Sequence, residues 1–502
     1  MSDNHAGRRY LRRMLLCVGV TTIALATSAH VGSPDTWFVG DAGPYPIRVL
    51  VRSPGVIPGL ADVTIWAPAE GVRKVWATPA YFNAGDRGLP PADTAKAIAG
   101  RPGAYAVQLW IMIPGSYSVR VSVDGDQGTA TAIMPVSAIA TEVREMDPRL
   151  GLVLAGLGLF LVAGLVTIVG AATRESVLAP GEEADPRRRR RALLAMGATA
   201  LALAGVLWGG KAWWDVEARA FRRGLDQQWR VETSLVGEGA EARLRVTISD
   251  SIWLERRVTP LVPDHGKLMH LFVARGDGDA FAHLHPVSVD SSTFETPLPG
   301  LPAGQYRVFA DITHESGFTR TMVGSVTLPE LPALGGAPDP DDGWRVGPAA
   351  EGAASLTDGA TISWEGRPDT LRVNEEAGLR FALREADGSS GSVEPYLGMA
   401  GHAVVMREDG AVFIHLHPMG TISAAAQVLL TERAESDTAR GALGRRLTDA
   451  GAFTRHAGHD GTLPGTFEFP YAFPDTGAYR VWVQVKRGGR IETAAFKATV
   501  VE

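Results

Sequence analysis

Histidine is the residue type whose placement in this chain could do chemistry, and the placement is repeated. His270 stands thirteen residues before His283-Leu284-His285-Pro286, and His402 stands thirteen residues before His415-Leu416-His417-Pro418. The midpoint of each interval is an Asp-Gly pair, Asp277-Gly278 and Asp409-Gly410. Asp-Gly between two apolar runs signals a β-hairpin, because a type I′ turn needs positive φ at both central residues. A two-residue turn there fixes the register. His270 then faces His285 and Phe272 faces His283; His402 faces His417 and Val404 faces His415. Alternate residues of a strand share a face, so the three histidines of each copy stand together. Directly opposed Cβ atoms lie about 4.5–5.5 Å apart, which brings three imidazoles within reach of one ion, twice over.

Imidazole suits zinc, copper, nickel and iron, whereas thioether sulfur selects for Cu(I). Met269 and Met399 lie beside the first histidine of each copy, and Met406 shares a face with His402. The expected ligand sets are His270, His283 and His285 with Met269, and His402, His415 and His417 with Met399 or Met406. Copper is the leading ion. Zinc, held by three histidines with one position open, is the alternative. The only cysteine is Cys17, so the rest of the chain offers neither a disulfide nor a thiolate site. A plainer reading stands beside this one, in which the histidines only pack. Phe272 and Phe281 share the histidine face: they form the wall of a half-buried site, or, on the plainer reading, the histidines are hydrogen-bonded in an interface, while Leu271, Val273, Ala282 and Leu284 on the opposite face are the candidates for the core. His265 and His314 are further histidines near the first copy. His456 and His459 follow the second, placed where they could fold over it. Asp311 and Glu315, near His314, are the one candidate acid/base pair. No nucleophile elbow, phosphate loop or dinucleotide motif is present, so no catalytic residue is assigned and a non-enzyme is expected.

The elements that must position these residues are mainly β. Short strands of period two, parted by Pro/Gly turns, read as three immunoglobulin-like β-sandwiches. The first covers residues 31–147, the second 229–328 and the third 357–502, with a Pro/Gly/Asp-rich linker over 329–356. The second and third are an internal repeat. Pro263 and Pro395 each stand seven residues before the first histidine, and Gly304-Gln305-Tyr306-Arg307-Val308 matches Gly477-Ala478-Tyr479-Arg480-Val481. The third unit carries about forty extra residues between His417 and Phe467, partly helical in pattern. The first unit shares only the Gly115-Ser116-Tyr117 element.

Two uncharged runs, residues 150–172 and 192–210, are long enough to cross a bilayer. The segment between them, 173–191, ends in five arginines, Arg187 to Arg191, which marks a cytoplasmic loop. Trp208, Trp213 and Trp214 sit at the far end, where an aromatic belt belongs. Residues 1–29 have a basic start, a short apolar run and small residues after it, the layout of a signal peptide or, alternatively, a signal anchor. The three β units then lie outside the cytoplasm, on a protein of the bacterial inner membrane. With a net charge of −6 and no basic domain surface, nucleic acid is not an expected partner. The expected partners are the lipid bilayer and other envelope or metal-transport proteins.

The blocks Asp264-His265-Gly266-Lys267-Leu268-Met269-His270-Leu271-Phe272, Phe281-Ala282-His283-Leu284-His285-Pro286 and residues 304–312 resemble the extracytoplasmic β-sandwich domains called YtkA-like or, more loosely, FixH-like. The resemblance covers residues 229–330 and extends more weakly to 357–502. It implies a domain found near copper and heavy-metal handling systems, with no catalytic activity to carry over. The third unit departs from it by holding Leu397 where the second holds His265. The expected function is therefore metal binding outside the cytoplasm, for sequestration, delivery or sensing. The alternative is a structural or interaction scaffold of the envelope with no metal.

Overall fold

The computed structural model describes residues 30–502 except 33–34, 86–87, 180, 256–257, 333–338, 435, 438 and 455–460. The expected signal segment, and His456 and His459, lie outside the described residues. The chain is mainly β, in three two-sheet units. In the first, one sheet carries Tyr45–Arg52, Gly59–Trp66 and Ala104–Ile111, and the other carries Val72–Tyr81, Gly115–Gly125 and Gly128–Ala138. Alternation along these strands sends Ile47, Val49, Val63, Val119 and Val121 into one core between the sheets.

The second and third units repeat one plan. In the second, the hairpin of His270–Arg275 and Ala280–Leu284 lies in a sheet with Gly304–His314 and Thr319–Leu328. In the third, the hairpin of His402–Arg407 and Val412–Leu416 lies beside Gly477–Arg487 and Arg490–Val501. Leu271, Val273, Ala282 and Leu284 fill the second core, and Ala403, Val405, Ile414 and Leu416 fill the third. In all three units a tyrosine after the Gly-x turn donates its hydroxyl hydrogen bond to the carbonyl four residues earlier. The pairs are Tyr117 to Ile113, Tyr306 to Pro302 and Tyr479 to Asp475.

The opposite faces of the two histidine hairpins pack on each other. Phe272, Phe281 and Phe309 of the second unit meet Val404, Met406, Phe413 and Trp482 of the third in a separate buried cluster. Phe309 stacks on Phe413 at 3.9 Å and Phe281 on Trp482 at 4.5 Å between ring centres. The extra segment of the third unit forms two short helices, α1 (Ala424–Glu432) and α2 (Ala442–Asp449). Leu429, Leu443 and Leu447 close over Val262 of the second unit.

Part of the expected linker is ordered structure. Gly343–Val346 pairs with Ala280–His283 as an added edge strand. On the third unit the corresponding edge is covered by His30–Val31, paired in parallel with Val412 and Phe413. An edge strand left bare is a pairing hazard, so each hairpin gains a cover.

Two helices long and apolar enough to cross a membrane join the first and second units, α3 (Pro148–Glu175) and α4 (Pro186–Arg223). At 1.5 Å per residue they run about 42 and 57 Å, against a hydrocarbon core of about 30 Å. Leu152, Phe160 and Leu201 are among many apolar side chains left exposed on them. Asp147 and Asp185 cap their first turns, each followed by a proline at the first helical position. Both helices outrun the uncharged stretches: the arginines 187–191 form the start of α4, and the chain stays helical past Trp214 to Arg223. The Asp226 amide then donates to the Ala140 carbonyl at 2.7 Å, so the hairpin leaves and rejoins the β units at one place.

Candidate metal centre

The hairpin register is the one the Asp-Gly turns imply: Phe272 pairs with His283 and Val404 with His415. The turn is not the expected type I′. Gly278 and Gly410 have φ of 76° and 71°, but Asp277 and Asp409 do not have positive φ. The Gly278 amide donates to the Arg275 carbonyl, and Asp277 Oδ1 accepts from the Asp279 amide, an Asx-type turn. Asp409 does the same with Ala411. A side-chain acceptor thus does the work assigned to a second left-handed residue, and the register survives. The glycines are also needed for space. A Cβ on Gly278 would lie 2.4 Å from Arg480 Cγ, and one on Gly410 would lie 2.4 Å from Arg307 Cδ. Each arginine comes from the other unit. Arg480 donates to the Asp277 carbonyl and Arg307 to the Glu408 carbonyl, so the pairing is close to two-fold.

That packing brings both sets of histidines into one buried place. His270, His283 and His285 offer ligand nitrogens all within 4.8 Å of one another, as do His402, His415 and His417. All six residues are buried, and rings of the two sets lie as close as 5.4 Å, His270 and His283 each to His415.

What surrounds each ring decides which nitrogen carries the proton. His270 Nε2 faces the Asp264 carbonyl at 3.3 Å, an atom that can only accept, so this nitrogen is N–H and Nδ1 keeps its lone pair. His283 Nδ1 faces Gln484 Oε1 at 2.9 Å. The Gln484 amide is oriented by its own bond to Thr493 Oγ1. The Tyr396 hydroxyl, 3.2 Å from the same nitrogen, gives its proton to the Asp341 carbonyl. His283 Nδ1 is therefore the donor and Nε2 keeps the lone pair. His285 Nδ1 donates to Asp342 Oδ1 at 3.0 Å, and His285 Nε2 has no hydrogen-bond partner among the described residues. The third unit repeats this pattern of outward hydrogen bonds at two of its three rings. His402 Nε2 faces the Tyr396 carbonyl, His417 Nδ1 the Ile422 carbonyl, and His415 Nδ1 lies 3.6 Å from Asp311 Oδ2. His417 Nε2, like its counterpart, has no partner among the described residues.

The second unit's set therefore turns three lone pairs inward, and the third unit's set does so at His402 and His417; at 3.6 Å Asp311 makes no hydrogen bond that fixes the His415 tautomer. Nδ1 of His270 and Nε2 of His283 are 3.1 Å apart, and Nδ1 of His402 and Nε2 of His415 are 3.0 Å apart. Two acceptors at that distance repel unless a proton or a cation lies between them. Burial disfavours the proton: His270, His283, His402 and His415 are all held well below the ordinary imidazole range, first by desolvation and then by their neighbouring histidines. Metal–nitrogen bonds of about 2.0–2.1 Å at a tetrahedral angle put ligand nitrogens about 3.3 Å apart, close to what is present. Outward N–H groups held by carbonyl or carboxylate are how metal-ligating histidines are oriented. Each of the two clusters can hold a metal ion.

The expected sulfur ligands fall elsewhere. Met269 is fully buried in the core of the second unit with Leu271 and Val273. It precedes His270 by one residue and so points to the other face of the sheet. Met406 packs in the aromatic interface, and Met399 is half-buried and closes a turn whose amide and carbonyl bond to Tyr396. Glu315 does not pair with His314 as an acid/base couple. Its carboxylate accepts from the Gly441 and Gly444 amides at the start of α2, where an anion is favoured. His314 donates from Nδ1 to the Thr259 carbonyl and lies against Trp229 and Trp253. Asp311 points instead at His415 of the third unit, and burial pushes its carboxyl up to about 7. A cleft of about 510 Å³ lined by Asp311, Thr313, Thr421 and Ser423 reaches His270, His415 and His417. Of the residues that orient the rings, Asp264 opens the first block that carries the family resemblance, whereas Asp342, Tyr396 and Gln484 carry no motif. Asp342 lies in the acidic stretch that reads as linker.

A family model described as "Domain of unknown function (DUF8832)" matches residues 224–329 and 354–502, just over half of the chain and both histidine units. Among curated proteins none matches. Among solved structures, the tetra-tandem repeat in the extending region of a large adhesion protein is similar at 11% identity and a TM-score of 0.16, over 93% of this chain and 74% of that one. Dimeric latent PorU from Porphyromonas gingivalis is similar at 10% and 0.14, over 93% and 34%. Salmonella alpha-2-macroglobulin is similar at 10% and 0.18, over 93% and 23%. At such TM-scores these likenesses carry no argument.

Proposed function

The chain belongs to the DUF8832 family, and from that premise we propose that it is a membrane-anchored protein that binds metal ions outside the cytoplasm through two three-histidine centres. The observation that carries the reading is the convergence of ring nitrogens: in each centre two of them stand 3.0–3.1 Å apart, and outward hydrogen bonds fix the tautomers of His270, His283 and His402. Copper is the leading ion, because affinity at nitrogen sites peaks at Cu(II) in the first-row series. With Met269 in the core, that preference rests on imidazole rather than on sulfur. Zinc is the alternative, since three histidines with an open position suit it. The centres would serve sequestration, delivery or sensing as a binding protein rather than an enzyme. The resemblance of residues 229–330 to YtkA-like domains supports the same reading, and metal-transport or other envelope proteins are the partners it suggests.

The orientation proposed for α3 and α4 keeps 173–191 in the cytoplasm and the β units on the far side of a bacterial inner membrane. The exposed arginines at the start of α4 support it, as does the meeting of Ala140 and Asp226 on one side of the hairpin.

The test is calorimetric titration of the purified full chain in detergent with Cu(I), Cu(II) and Zn(II). Micromolar or tighter binding that is lost when His283→Ala and His415→Ala are combined supports the proposal. Absence of binding in every redox condition sinks it and leaves the packing role for the histidines.

A further inference from the structure

The two centres differ in the turn that stands beside each triad. The second unit carries the turn Asp264–Lys267 and the third carries Tyr396–Met399, each closed by a pair of backbone hydrogen bonds. Their second residues, His265 and Leu397, both adopt left-handed φ, 51° and 49°, and so occupy equivalent places. Each turn serves both units. The Asp264 carbonyl faces His270 while its carboxylate accepts from the Ala425 amide of the third unit. The Tyr396 carbonyl faces His402 while its hydroxyl meets His283 of the second unit. His265 follows that crossing pattern. Its ring centre is 5.7 Å from His402 and 5.5 Å from His417, but 6.5 Å from His270 of its own unit.

Within the third unit's triad the ring centres are 4.5–5.2 Å apart. Bonds of about 2.0–2.1 Å at a tetrahedral angle place ring centres about 5.2 Å apart. His265 is therefore about 0.3–0.5 Å beyond a ligand's spacing from two members of that triad, and its nitrogens lie outside the 4.8 Å cluster of His402, His415 and His417, so a shift of the ring is what brings it onto the ion. The left-handed backbone that holds it is uncommon for a residue other than glycine. Asp264 Oδ1, 3.8 Å from His265 Nε2, adds negative charge beside the ring. The equivalent side chain, Leu397, offers the second unit's triad no donor atom.

Building on the two-centre reading above, we propose that His265 supplies a fourth imidazole to the ion held by His402, His415 and His417, so that this centre is closed while the centre of His270, His283 and His285 keeps an open position. Four protein ligands mark a retained ion, and three with an open position mark one that can meet an incoming ligand. The closed centre also ties the second unit to the third, because its ligands come from both. One ion is then held as part of the structure, and the other is the one exchanged with a partner.

The experiment loads the full chain in detergent with Zn(II), then follows release to a chromogenic chelator and counts imidazoles per zinc by X-ray absorption. The wild type should release one equivalent quickly and one slowly, with about 3.5 imidazoles per ion. His265→Asn suits the left-handed backbone, because asparagine tolerates that region. It should speed the slow phase at least about tenfold and lower the count to about 3. Leu397→His should slow the fast phase and raise the count to about 4. A slow phase and count unchanged in His265→Asn, or a fast phase unchanged in Leu397→His, would overturn the asymmetry and leave the two-centre reading standing. A wild type that takes up no zinc and no copper would overturn both.

Discussion

Phe413 is the perturbation that separates docking of the two histidine units from their folding. Its ring is fully buried, yet it belongs to neither sandwich core. It packs across the interface, stacked on Phe309 at 3.9 Å and tilted against Phe272 at 5.3 Å. Truncating a buried phenylalanine to alanine costs about 3–5 kcal/mol. In Phe413→Ala that cost falls on the docked state, because the cores that fold each unit keep all their residues. At about 1.4 kcal/mol per factor of ten, the docked population falls by roughly two to four powers of ten relative to the undocked one. The six histidines, buried when docked, are open to reagent when undocked. The assay is carbethoxylation by diethyl pyrocarbonate at fixed pH, read residue by residue by mass spectrometry. Under conditions where redocking outpaces labelling, the rates at His283, His402 and His415 should rise by the same two to four powers of ten. Circular dichroism in the far ultraviolet should stay at wild-type values. Wild-type labelling rates at these histidines would show that Phe413 does not hold the two units together. So would a variant in which they label only as the whole chain unfolds.

Gln484→Leu removes the acceptor of the His283 Nδ1 proton; a stability loss of about 1–3 kcal/mol is expected from urea unfolding, with metal affinity down about 10–100-fold in chelator competition. Burial lowers His314 to about 4, whereas the unfolded imidazole takes its proton near 6.5, so acidification through that window favours unfolding. Metal-free protein should lose up to about 3 kcal/mol from this residue between pH 6.5 and pH 4, and His314→Gln should flatten that part of the profile in urea midpoints. Gly278→Ala places a Cβ at a φ of 76° and against Arg480, and should cost more than about 1 kcal/mol in thermal unfolding. An unchanged melting temperature would show that Arg480 does not hold the turn.

Much of the fold is written in local patterns. Period-two alternation at Leu271, Val273, Ala282 and Leu284 states which face is core, and the repeat of Gly304-Gln305-Tyr306 at Gly477-Ala478-Tyr479 states that a unit occurs twice. The hairpin register was legible because Asp-Gly marks the turn, although an Asx-type turn replaces the type I′ geometry. The histidines' shared face follows from the same alternation. That face opposing its twin was not legible, because docking is set by Phe309, Phe413 and Trp482, which read as ordinary strand aromatics. Adjacency in sequence misplaces Met269, because one residue from a histidine is the opposite side of a strand. Asp342 and Gln484 orient His285 and His283 from a stretch without periodicity and from a distant strand, and neither carries a local signal.

On the proposed function, the converging nitrogens of His270, His283 and His285, and of His402, His415 and His417, hold ions. The most direct measurement is an anomalous difference map from crystals of the full chain grown with Cu(II) or Zn(II). Two peaks are expected, one about 2.0–2.1 Å from His270 Nδ1, His283 Nε2 and His285 Nε2, and one at the same distances from His402 Nδ1, His415 Nε2 and His417 Nε2. A map with no peak at either triad, or with peaks on the outward nitrogens that face Asp264, Gln484 and Asp342, would contradict it.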